Sequence, residues 1–318
     1  MDIELDQRLS DEAKAFIIQS FKIARPTDIL KADLPLVRKL KDDASMTLFK
    51  IENFEDLIIE DFIVKNKHDG HEILVRKFVP KNSIENSSIT VYFHGGGFSL
   101  GSIKTHTHTV GFLARKTKSI WLSVEYRRCP DEGRYPIPYL DCKSVVEWTL
   151  ENRDILGSDR SKVGICGDSA GGHMASIIAH ELKKDLDFQI LIYPCVDFSD
   201  DYKSAKEFTK ECFYLVPEVV EFFTKNLTDE PEKHAGHLSP IMYNDFSHLP
   251  KCLIIAAELD PLVDHSRCYH EKLQQNNVEC HLEILDGTIH GYFGQPLHFK
   301  NAFKRTEELI HDFFHKLN

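Results

Sequence analysis

The residues best suited to covalent chemistry are Gly167-Asp168-Ser169-Ala170-Gly171-Gly172. Upstream, Lys162–Cys166 reads as a short buried strand; downstream, His173–Leu182 reads as a helix. A serine at such a strand-to-helix turn stands on a tight bend with its hydroxyl projecting from the sheet. Side chains in place of the flanking glycines would collide with the neighbouring strand and helix. The helix start also aims free N–H groups at whatever the serine attacks. A second glycine-rich break, His94-Gly95-Gly96-Gly97-Phe98, follows the β-rich run Ser88–Phe93. Its glycines leave backbone N–H groups unshielded, so a substrate oxygen can approach them. The chemistry this suits is acyl transfer, with an oxyanion hole expected from the N–H groups of Gly95, Gly96 and Ala170.

Other glycine-rich readings fail on single residues. The nearest phosphate-loop match, Gly96 through Gly101-Ser102, lacks the lysine before Ser102, and a dinucleotide pattern fails because position 100 is leucine. Metal catalysis finds no His-Glu-x-x-His, and His106-Thr107-His108 offers two ligands with no acidic third nearby. No cofactor and no metal are expected.

A serine nucleophile of the α/β-hydrolase kind needs an acid and then a histidine further along the chain. Lys251–Ala257 is an apolar run of strand length, followed by Glu258-Leu259-Asp260-Pro261-Leu262. Val278–Leu285 is another strand candidate, followed by Asp286-Gly287-Thr288-Ile289-His290-Gly291. Both candidates are expected in loops after strands, where ligands of open α/β sheets bind. Asp264 lies close to Asp260, but it suits the first turn of the following helix, where a carboxylate is favoured. Asp260 and His290 are therefore the expected partners of Ser169.

With these residues in view, the chain resembles the hormone-sensitive-lipase-like branch of the α/β-hydrolase esterases, which includes arylacetamide deacetylases and plant carboxylesterases. His94–Phe98 with Gly101-Ser102 and Thr105-His106 is similar to that family's oxyanion segment. Tyr126-Arg127 and Pro130 resemble its Tyr-Arg-Leu-Ala-Pro-Glu stretch, and Gly167–Gly172 its nucleophile motif. Ser239-Pro240, Leu249-Pro250 and Glu258-x-Asp260-Pro261-Leu262 resemble the approach to its acid, and His290-Gly291 its histidine motif. Arg128, Cys129 and Asp131 depart from the family, which carries Leu, Ala and Glu there; this bears on substrate preference and not on the chemistry. A plant hormone-receptor branch has lost the histidine that this chain keeps as His290. The resemblance implies an α/β-hydrolase fold, two-step transfer of an acyl group to water, and no cofactor.

Composition fits a globular enzyme: 318 residues, 42% hydrophobic and 28% charged. A net charge of −11 disfavours nucleic acid and anionic membranes. No apolar run approaches the roughly 18 residues of a membrane span. The acidic start Met1–Asp6 is unlike a secretory signal. The eight cysteines lack paired short spacings, and several, such as Cys166 and Cys252, fall in expected strands, as buried reduced thiols of a cytoplasmic protein would. The expected partner is a small-molecule ester, with no nucleic acid and no membrane span; a homodimer is left open.

These residues need a scaffold. Strands are expected at about 57–64, 73–79, 88–93, 119–125, 162–166, 188–193, 251–257 and 279–285, giving a mostly parallel sheet of about eight strands flanked by helices. Leu9, Ala13, Phe16, Ile17, Phe21 and Ala24 recur at helical spacing, with Ser10 as cap and Pro26 as stop. Residues 1–50 are thus expected as a helical cap segment and 197–245 as a second one. The latter holds a helix after Pro217 with Phe222 and Phe223. Residues 51–196 and 246–318 would form the core. One or two cap aromatics are candidates to line an acyl or alcohol pocket, against plain packing of the helix. The reading is a serine carboxylesterase of small, fairly apolar, short- to medium-chain esters. The alternatives are an amide-cleaving relative (a deacetylase or formamidase) and, behind it, a non-catalytic small-molecule binding protein.

Overall fold

A computed structural model of the chain describes residues 4–49, 54–83, 86–157, 159–198 and 201–317. Its strands are β1 (Leu57–Lys65), β2 (Glu72–Pro80), β3 (Ile89–Phe93), β4 (Ile120–Val124), β5 (Val163–Asp168), β6 (Phe188–Ile192), β7 (Lys251–Leu259) and β8 (Cys280–Ile289). They form one sheet in the order β1-β2-β4-β3-β5-β6-β7-β8. β2 pairs antiparallel with both β1 and β4, and every later pairing is parallel. β3, β4, β5 and β6 are buried at every residue, which is why they read as unbroken apolar runs. The edge strand β1 instead buries Leu57 and Val64 and exposes Ile58 and Ile63.

The helices are α1 (Asp11–Ser20), α2 (Leu34–Phe49), α3 (Ile103–Thr117), α4 (Ile137–Glu151), α5 (Arg153–Leu156), α6 (Ala170–Glu181), α7 (Lys203–Glu207), α8 (Pro217–Leu227), α9 (Pro231–Leu238), α10 (Val263–Gln275) and α11 (Lys300–Leu317). One face of the sheet packs on α4, α6 and α10 through Val145, Ile177, Ile178 and Leu273. The other packs on α1, α3 and α11 through Ile17, Leu113, Ile310 and Phe314. Each such fully buried side chain contributes about 1.5–3 kcal/mol, so the two layers together hold the sheet's register. No described helix is long and apolar enough to cross a membrane.

Strand ends fall within two residues of the expected positions, except that β8 runs four residues past residue 285. The reason is a bulge. The β7–β8 register shifts between Ala257 and Leu259, and Gly287, at φ +63°, lets β8 loop out and rejoin at Leu259↔Ile289. Gly287 N–H donates to Glu258 Oε2 at 2.7 Å and its carbonyl accepts Ser10 N–H at 2.9 Å. β8 therefore ends at Ile289, and His290 opens the turn that follows it, after the strand as expected.

Two further groups of helical segments come before β1 and between β6 and β7. α1 is capped by Ser10, whose side chain accepts the Ala13 N–H, and stops at Ser20, short of Pro26; Pro26–Lys31 then forms a 3₁₀ turn before α2. α7, α8 and α9 lie between β6 and β7, and α8 opens on Pro217 at its first position. The two groups are tied together. Arg25 and Thr27 both donate to Glu211, at 2.6 and 2.7 Å, and Arg8 donates to Glu207 at 2.6 Å.

Candidate active site

β5 ends at Asp168 and α6 begins at Ala170, leaving Ser169 on the corner with φ +54° and ψ −116°. A residue with a side chain carries on the order of 1–3 kcal/mol of strain in such a conformation. The surroundings hold it there. Ser169 N–H continues the β5–β6 ladder by donating to Ile192 O at 2.9 Å, and its carbonyl accepts His173 N–H at 2.9 Å. A Cβ on Gly167 would overlap the Gly171 backbone, and one on Gly171 would overlap the Phe93 carbonyl. No rotamer relieves a backbone collision, so these two glycines are required.

Asp260 and His290 follow the last residues of β7 and β8, so they share with Ser169 the C-terminal ends of the parallel strands. His290 Nε2 lies 2.8 Å from Ser169 Oγ, and His290 Nδ1 lies 2.7 Å from Asp260 Oδ2. Asp260 is fully buried, and its second oxygen accepts Leu262 N–H at 2.8 Å. A carboxylate only accepts, so the ring proton sits on Nδ1 and Nε2 turns a lone pair toward the serine hydroxyl. The Tyr193 ring lies against the imidazole, centroids 4.7 Å apart. Asp264 sits in the first turn of α10 and is occupied there, accepting Ser204 N–H at 3.0 Å and Arg267 at 2.8 Å.

The glycine loop corrects one expectation. Gly95 N–H donates to Asp168 Oδ1 at 2.8 Å, so it is already used inside the protein and is not free for a substrate oxygen. Asp168 also accepts Tyr92 OH at 2.5 Å and Tyr193 OH at 3.4 Å. Burial and the Asp168 carboxylate push both phenols well above their usual pKa, so both stay donors. Asp168 thereby ties the glycine loop to the strand that carries Ser169.

The next amides differ. Among the described residues, no acceptor takes the N–H of Gly96, Gly97 or Ala170. Their orientation is nevertheless set, because a peptide is planar and a carbonyl held on one side points the following N–H to the other. Gly95 O is bonded by His94 Nδ1 at 2.9 Å, which fixes the plane carrying Gly96 N–H. Burial, with His106 alongside, holds His94 well below the usual histidine pKa, so it is neutral and its one proton serves this bond. Gly96 O accepts Ser99 N–H at 3.1 Å and Leu100 N–H at 2.8 Å, which fixes the plane carrying Gly97 N–H. Phe223 of α8 rests on this loop, since a Cβ on Gly97 would collide with its ring.

Three residues of the site were not singled out by sequence: Gly97, Asp168 and Tyr193. Gly97 and Asp168 lay inside the two motifs, and Tyr193 directly follows β6. The departures at 128–131 also have partners. Arg128 NH1 donates to Gly101 O at 2.9 Å, and Asp131 accepts Arg38 at 2.8 Å, so both steady the glycine loop's surroundings.

Residues 90–294 match the model of a family described as the alpha/beta hydrolase fold. Carboxylesterase NlhH of Mycobacterium tuberculosis is 33% identical over 75% of this chain and 77% of its own. Arylacetamide deacetylase-like 3 of Mus musculus is 30% identical over 73% of this chain and 72% of its own. An esterase structure from Pyrobaculum calidifontis superposes with a TM-score of 0.83 at 28% identity, covering 96% of this chain and 99% of that one. The chain therefore belongs to the α/β-hydrolase family, in its hormone-sensitive-lipase-like esterase branch, and is a hydrolase.

Proposed function

We propose that the chain is a serine carboxylesterase acting on small, fairly apolar, short- to medium-chain esters through an acyl-enzyme intermediate. The relay from Ser169 Oγ to His290 Nε2 to Asp260, with spacings of 2.8 and 2.7 Å, carries this reading. His290 takes the Ser169 proton as the serine attacks the ester carbonyl, and Asp260 orients the ring and stabilises its cationic form. The tetrahedral oxygen is held by the N–H groups of Gly96, Gly97 and Ala170. His290 then gives its proton to the leaving alcohol, and in the second step activates the water that frees the serine. An amide-cleaving role would use the same residues, and the deacetylase-like relative makes anilides the natural comparison substrates.

Residues 1–50 and 197–245 act in this reading as one cap over the core of 51–196 and 246–318, supported by the Arg25–Glu211 and Thr27–Glu211 bonds between them. Eight free cysteines suit a reducing, cytoplasmic setting.

A panel of aryl and alkyl esters and anilides of varied acyl length tests the proposal. A short p-nitrophenyl ester is expected to be hydrolysed without added metal, with a rate that a chelator leaves unchanged. The motivation is that no three His, Cys, Asp or Glu side chains converge as a metal set among the described residues. Chelator-sensitive activity restored by zinc would overturn it.

Acyl length is limited by Phe223, whose ring covers Gly97. Each CH₂ that the pocket buries favours binding by about 0.8 kcal/mol until the ring blocks the chain. Phe223→Ala is expected to move the chain-length optimum to longer esters. If the variant only melts earlier, with the optimum unmoved, the ring is an anchor of α8 and nothing more.

A further inference from the structure

Arg38 of α2 is 5% exposed, unusual for a guanidinium unless its donors are taken. They are. Nε donates to Ser99 O at 2.7 Å, one terminal nitrogen to Cys129 O at 2.8 Å, and the other to Asp131 at 2.8 Å. Ser99 is itself fully buried, and its hydroxyl also meets Asn226 of α8 at 3.4 Å. One turn further along α2, Asp42 accepts the Ser102 hydroxyl at 2.6 Å.

The bond to Ser99 O matters because of what shares its peptide plane. The Ser99 carbonyl and the Leu100 N–H belong to one rigid unit. That N–H donates to Gly96 O at 2.8 Å, and Gly96 O belongs to the unit that carries Gly97 N–H. Arg38 therefore sits at the head of a line of two peptide planes ending on the Gly97 amide. We propose that Arg38 is a positioning residue for the reaction: it aims and polarises Gly97 N–H toward the developing oxyanion through the Ser99–Leu100 and Gly96–Gly97 peptides. A cation at the head of such a line strengthens each bond after it, because hydrogen bonds in a chain polarise one another. The consequence is that the outlying helix α2 takes part in rate enhancement without touching substrate. This rests on the serine-esterase reading above, with Gly97 as an oxyanion donor.

The test uses Arg38→Met and Arg38→Lys in the full chain. A lysine keeps the charge but cannot reach three separated acceptors, so it should not rescue. Both variants are expected to lose kcat by on the order of 10- to 100-fold, the scale of a slightly misplaced catalytic group, with KM within about twofold of the parent. Binding of an aryl trifluoromethyl ketone, which forms the oxyanion, should weaken in step with kcat/KM. In the infrared spectrum of a trapped acyl-enzyme, the ester carbonyl band should move to higher wavenumber as its hydrogen bonds weaken. If Arg38→Met does not fold, Arg38→Lys carries the test alone. Unchanged kcat and band position with only a lower melting temperature would overturn the proposal, as would a rise in KM alone. If the parent enzyme forms no acyl band at all, the serine-esterase reading has failed instead.

Discussion

Ser169→Ala and His290→Ala are each expected to abolish nearly all turnover, by on the order of 10⁵- to 10⁶-fold in kcat, with the fold intact. The serine oxygen and the imidazole nitrogen are 2.8 Å apart and share one proton. Without the ring the hydroxyl is a poor nucleophile at neutral pH, and without the hydroxyl the ring has nothing to activate. The double variant is therefore expected to lose little more than either single one. Alanine at 169 keeps a Cβ in the same strained backbone, so the corner is not relieved and melting should barely move. Steady-state kinetics on a p-nitrophenyl ester, with thermal melts of all three variants, makes the comparison. Losses that multiply would show that the two groups do not act in one proton transfer.

Asp260→Asn is expected to cost on the order of 10⁴-fold in kcat, and Asp264→Asn no more than a few-fold. The contacts around each carboxylate explain the difference. Asp260 is wholly buried and fixes the Nδ1–H tautomer of His290. An amide at that position could turn its own N–H toward Nδ1, leaving the ring proton on Nε2, aimed at the serine it should deprotonate. Asp264 bonds Ser204 and Arg267 at the helix start, a place where asparagine is tolerated. The reverse ranking, read from kcat on the same p-nitrophenyl ester, would identify Asp264 as the acid and undo the assignment of Asp260.

Much of the sheet was legible because its central strands are buried on both sides. Runs such as Ile89–Phe93 and Phe188–Ile192 have no polar face to confuse with another period. The serine corner was legible for a different reason: glycine at 167 and 171 answers a backbone collision, and sequence records that demand directly. What escaped the sequence depends on side chains aimed across the fold. Gly95 looks as suitable an oxyanion donor as its neighbours until Asp168, distant along the chain, claims its N–H. Nothing local to Arg38 reveals that its acceptors are carbonyls of two remote loops. The extension of β8 was hidden by Gly287, which reads as a turn but here forms a bulge within the strand.

The order of strands across the sheet also governs when activity appears as the chain folds. Ser169 is 121 residues from His290, and His290 is 30 from Asp260. β5 and α6 can build the serine corner from near neighbours. The acid and base reach it only after β7 has joined β6 and β8 has joined β7, parallel pairings that close long loops. Such distant contacts form slowly compared with helices. On the proposed mechanism, hydrolysis is expected to recover late in refolding: a species with its helices formed and β5 buried would still be silent. The difference in time between recovered circular dichroism and recovered hydrolysis would measure docking of the C-terminal strands onto a sheet already begun.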